Sequence, residues 1–141
     1  MNISRVAMLL VAAGLGSGPA LTARAQDKTV YRAPGADQKV LLREPLHGVP
    51  GHQVTIIRAT VPPNWIGGKH YHTGPVYVYV LKGTFAVDEQ GKERRVFAAG
   101  EVYNEPIGTP MQARNPNESS PLEILLVQIG RQGEPLMINA E

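Results

Sequence analysis

The chain has 141 residues, 43% of them apolar and 18% charged. That length suits one domain with one modest core, and the charged share is too low for a disordered or coiled-coil chain. Cysteine is absent, which excludes disulfides, thiol catalysis and cysteine-ligated zinc.

A short start, Met1–Arg5, made basic by Arg5, precedes an apolar run, Val6–Leu15, and then Ala23-Arg24-Ala25 in a small-x-small arrangement. This is the pattern of a secretory signal peptide over residues 1–25, cleaved before Gln26. The apolar run is about half the length of a membrane span, so no stable membrane insertion is expected after cleavage. The expected location is periplasmic or secreted. Cleavage would remove Arg5 and Arg24 and no acid, taking the 14 basic residues to 12 against 12 acidic ones. The pI of about 9.0 therefore belongs partly to the leader, and no nucleic-acid partner is expected.

Residues 26–37 are polar and unpatterned and read as an N-terminal arm, with a β-domain over 38–137. Strand-like runs follow, separated by Gly, Pro and polar turns. They are Lys39–Arg43, His52–Val61, Val76–Leu81 and Thr84–Asp88, with a hairpin turn at Glu89–Lys92 leading into Arg94–Ala98. Gly100–Glu105, Met111–Arg114 and the apolar Leu122–Ile129 complete the series. Outside the leader no helical period persists over ten residues, and no internal repeat is present. Many short strands at regular spacing predict an all-β sandwich or barrel.

Within the central run, Val76, Val78 and Val80 share one face while Tyr77 and Tyr79 share the other. The valines are expected inside. The tyrosine face is a candidate homodimer contact, because tyrosine is enriched at interfaces.

His70-Tyr71-His72 carries the clearest chemical signal. Two residues apart on a strand, both imidazoles project from one face, about 6.5–7 Å apart along the backbone, and can converge on one ion. A buried hydrogen-bonded pair would look the same in isolation.

The surrounding frame resembles the cupin family. Its first motif is met by Asn64, His70, His72 and Gly83, with Val76 where the family has a glutamate. Asn64 stands at a glycine position, and Asn is the residue that best tolerates a left-handed backbone. The second motif is met by Gly100, Pro106, Gly108 and Asn115, with Met111 where the family has a histidine. The resemblance implies a single-domain jelly-roll barrel and a metal site of three histidines and one glutamate.

Of that set only His70 and His72 carry over, and two imidazoles alone hold a divalent ion weakly. Glu105, just before Pro106, is a candidate replacement carboxylate. Met111 offers a thioether that would favour Cu(I), although methionine lining a barrel is also a flexible core filler. The expected cofactor is one divalent transition-metal ion: Fe, Mn, Zn or Cu. Val76, Val78, Met111, Trp65 and Tyr103 are candidate pocket residues, with Arg114 a further group near the mouth. His47 and His52 are read as structural or exposed.

Three functions follow. The first is a metal-dependent pocket for a small organic molecule, with oxygenase, isomerase or hydrolytic chemistry. The second is a non-catalytic cupin holding a small ligand without metal; copper handling is a third.

Overall fold

Alternation of β-branched and polar residues builds ten strands in the computed structural model, which describes residues 31–140. The expected leader, its cleavage point and the first part of the arm lie outside the described residues. In chain order the strands are β1 (Asp37–Pro45), β2 (His52–Val61), β3 (His70–His72), β4 (Val76–Lys82) and β5 (Thr84–Glu89). They continue as β6 (Arg95–Ala98), β7 (Val102–Glu105), β8 (Met111–Arg114), β9 (Leu122–Arg131) and β10 (Met137–Asn139). No helix occurs among the described residues.

The strands form two five-stranded antiparallel sheets, β1-β2-β9-β4-β7 and β10-β3-β8-β5-β6. This is a jelly roll, as the strand pattern and the resemblance imply. Strand β10 was not among the expected strands. Its short, weakly patterned sequence becomes a strand only by pairing with β3, where Met137 lies opposite His72.

Cross-strand register orders the interior of the first sheet into rows, because antiparallel partners share a face. One row runs Ile57–Leu126–Val78–Tyr103 and the next Ala59–Ile124–Val80. Burying each valine or leucine here stabilises the fold by about 1.5–3 kcal/mol. Val76, Val78 and Val80 are fully buried, while Tyr77 and Tyr79 face outward. At the end of this apolar stack lies a row of different composition, Thr55–Gln128–Val76–Glu105. The second sheet adds Phe85 and Phe97, which pack with Tyr103 as an aromatic cluster.

The described end of the arm is anchored to the barrel. Tyr31 is buried at its start and its N–H donates to the Met137 carbonyl at 3.0 Å. The physical reason is a prepared seat. A side chain at Gly68 would come within 2.9 Å of the Tyr31 ring, so glycine lets the ring lie directly on the backbone.

Candidate metal centre

Strand β3 turns His70 and His72 inward and leaves Tyr71 half-buried between them. The histidine rings meet edge to face, with centroids 5.0 Å apart. Glu105 ends β7, immediately before the Pro106-Ile107-Gly108 turn. That turn is docked onto β3: the Gly108 N–H donates to the His72 carbonyl at 2.9 Å, and Ile107 bridges His72. This docking brings the carboxylate to the imidazoles. One donor atom from each of His70, His72 and Glu105 lies within 4.8 Å of the others.

All three side chains are nearly inaccessible to solvent, at 4%, 1% and 3% exposure. His72 Nε2 lies 2.7 Å from Glu105 Oε2. Yet neither atom has a hydrogen-bond partner, and His72 Nδ1 has none either; the pair is close but not aligned as a hydrogen bond. Buried groups of this kind are rarely left unsatisfied, and their convergence fits a metal ion.

His70 is already prepared as a ligand. Its Nδ1 lies 3.0 Å from the Gly68 carbonyl, which favours the Nδ1–H tautomer and leaves Nε2 with a lone pair. Burial pushes its pKa down, outweighing the opposing influence of Gly68 and Glu105. The ring is therefore neutral at neutral pH. Tyr31 stacks on it at 4.2 Å and 6° and accepts a hydrogen bond from the Gly68 N–H at 3.1 Å. Trp65 closes the same side, donating from Nε1 to the Pro34 carbonyl at 2.6 Å.

The space at the triad is a cavity of about 40 Å³ walled by Tyr31, Trp65, Phe85 and small aliphatic side chains. That is room for an ion and a water molecule or two, well below the few hundred cubic ångströms of an organic-ligand pocket.

The sequence-predicted site residues separate into two groups. His70, His72, Glu105 and Trp65 meet at this cavity. Val76 lies directly across the ladder from Glu105, so the carboxylate enters from the strand beside the family's usual position. Met111 is the register partner of His70 and is buried, but the cleft it lines is a separate one with Lys69 and Gln112. Val78 and Tyr103 do not line the cavity. They pair one row deeper, where the Tyr103 hydroxyl donates to Glu89 at 2.8 Å. Arg114 is held by Asp88. His52 bonds locally to the Pro50 carbonyl, in keeping with a structural role.

Sequence reasoning missed Tyr31, because nothing in a polar arm marks one tyrosine as buried. It also missed Thr55 and Gln128, which a stricter use of strand parity would have found: Thr55 alternates in phase with inward Ile57 and Ala59, and Gln128 with Ile124 and Leu126.

The family model described as a cupin domain matches residues 57–128. The chain belongs to the cupin family. Solved cupin-like structures agree in fold. An uncharacterized conserved protein with a double-stranded β-helix domain from Klebsiella pneumoniae is 16% identical at TM-score 0.58, with 82% of this chain and 94% of that chain covered. The polyketide cyclase RemF from Streptomyces resistomycificus is 22% identical at TM-score 0.56, covering 77% of this chain and 73% of that one. The DMSP lyase DddQ from Ruegeria pomeroyi is 18% identical at TM-score 0.56, covering 70% of this chain and 49% of that one. At these identities the likeness establishes fold only, and the last two proteins are named for different activities on that fold. No curated protein matches the sequence.

Proposed function

We propose that this cupin is an exported protein that holds one divalent transition-metal ion through His70, His72 and Glu105 and binds a small organic molecule in the barrel beside it. The observation that carries the reading is the buried convergence of three donor side chains, with both His72 ring nitrogens and Glu105 Oε2 lacking hydrogen-bond partners. Two imidazoles and one carboxylate suit Fe(II), Mn(II) or Zn(II) better than Cu(I), which prefers sulfur. A bound ion would supply Lewis acidity, and redox chemistry if it is iron or manganese. The chain's own residues do the rest. Gly68 sets the His70 tautomer, Glu105 contributes the negative charge, and Tyr31 and Trp65 keep bulk water from the donors.

The second reading, a ligand-binding cupin without metal, is favoured by Val76 and Met111 at two of the family's ligand positions. One experiment separates the two. The protein is recovered from the compartment to which it is exported and its metal content measured beside a His70→Ala/His72→Ala variant. Near-stoichiometric metal in the wild type alone is the expected result. Metal below about a tenth of an equivalent in both, with no uptake on titration, leaves the metal-free reading. Stoichiometric copper would instead return Met111 to the ligand set.

The partner expected beyond the ligand is a second copy of the chain. On the outer face of the first sheet, Tyr77 and Tyr79 are each 40% exposed. They adjoin Val127, Leu125 and Val102 in register, an apolar stripe suited to a homodimer.

A further inference from the structure

The polar row at the end of the first sheet is not accounted for by the metal triad. Beyond the triad, two further buried polar atoms lack partners among the described residues: Thr55 Oγ1 and Gln128 Nε2. Both side chains are nearly inaccessible, at 2% and 3% exposure. They are register partners on β2 and β9, and the same row continues through Val76 to Glu105. On the other side Thr55 faces Arg43 of β1, which has no ion pair among the described residues. A single cross-strand line thus runs from a cation at the sheet edge, past two orphaned polar groups and one valine, to the triad's carboxylate.

Arg43, Thr55 and Gln128 line one open cavity of about 340 Å³, completed by Glu134 at its rim and by Tyr31, Leu136 and Met137. That volume suits a small organic molecule. Tyr31 and Met137 also wall the metal cavity, so the two spaces adjoin at those side chains.

We propose that this cavity is a carboxylate subsite, in which Thr55, Gln128 and Arg43 hold the carboxylate of a small organic acid beside the metal centre. Amide, hydroxyl and guanidinium all donate hydrogen bonds, and the guanidinium fork matches the two oxygens of a carboxylate. Val76, between Gln128 and Glu105 in the ladder, separates the bound carboxylate from the triad's own negative charge. The proposal deepens the metal reading by naming the class of molecule held beside the ion. It rests on that reading for the chemistry but not for binding, since the three donors belong to the chain.

The test is calorimetric titration of the full mature protein, metal-loaded and chelator-stripped. The probes are acetate, propionate, malonate, succinate and glutarate, with malonamide, succinamide and inorganic phosphate as controls. At least one acid is expected to bind saturably. Its affinity should fall about tenfold or more in Arg43→Gln and in Gln128→Leu, and the diamides should not bind. Arg43 is exposed, so its variant keeps the test meaningful should Gln128→Leu fold poorly. Binding of no acid in the series overturns the proposal. So does affinity unchanged in both variants, or equal binding of diamide or phosphate. Carboxylate binding that survives in a protein taking up no metal would fail the metal reading and leave the subsite standing.

Discussion

At the scale of single residues, the departures from the family pattern are compensated by geometry. Val76 removes a carboxylate from β4, and Glu105 restores one from β7 at the directly opposite position. A strand-to-strand exchange of this kind leaves the charge in the same space while changing the residue number that carries it. Glu105→Gln keeps size and hydrogen-bonding capacity but removes the negative ligand. Its metal affinity, measured by competition with a chromophoric chelator, is expected to fall by more than the roughly 10–100-fold typical of outer-shell changes. Affinity within a factor of about two of the wild type would remove Glu105 from the ligand set. His70 and His72 were legible from spacing alone, because strand parity is a local property. Glu105 could be named as the candidate carboxylate from its place just before Pro106, but its position facing Val76 across the sheet could not be read, because that depends on register.

At the scale of elements, β5 and β8 are tied by charge as well as by the ladder. Asp88 on β5 accepts from Arg94 Nε at 2.7 Å, and Arg114 on β8 holds the other carboxylate oxygen. Arg94 and Arg114, against the opposing effect of partial burial, hold the Asp88 carboxyl below its usual range. A depressed folded-state pKa contributes stability that is fully present above the unfolded value, near 3.9. The contribution is lost as pH falls through the lower folded value. Asp88→Asn is therefore expected to cost about 1 kcal/mol at neutral pH and to flatten the loss of stability below about pH 4. Urea denaturation at a series of pH values reads both effects, and an acid limb identical to the wild type's would show that this cluster carries no linkage. Element positions were largely readable from sequence. His52–Val61 and Met111–Arg114 agree to the residue, while Leu122–Ile129 extends to Arg131. Strand β10 was not readable, since three residues carry too little pattern to declare themselves.

For the molecule as a whole, the outer face of the first sheet remains to be covered. Its exposed tyrosines, with Val102 at 57% exposure, form an apolar stripe interrupted by Asn104 opposite Tyr77 and by Arg58 and Glu123, which pair with each other. A homodimer through this face is expected in solution. Light scattering should give twice the chain mass for the wild type and the monomer mass for Tyr77→Arg/Tyr79→Arg. A wild type that is monomeric at high concentration, or a variant that stays dimeric, would assign the stripe to something else. The interior valines and exterior tyrosines behind this expectation follow from alternation alone, and the structure bears out their placement.

The division between sequence and structure follows the range of the interactions. Strand periodicity, turn residues and the inward pairing of His70 with His72 are set within a few residues of chain, so the all-β class, the family frame and two of the three candidate metal donors could be read from the sequence. Even Asn64 at a glycine position follows this rule, and its φ of 56° is the left-handed conformation the turn requires. The remaining features need contacts between distant segments. Tyr31 seated on His70, Glu105 opposite Val76, and Thr55 beside Gln128 each join residues from different strands or from the arm. Only the tertiary structure decided them, because register and burial are properties of the closed sheets and are not encoded at any one position of the chain.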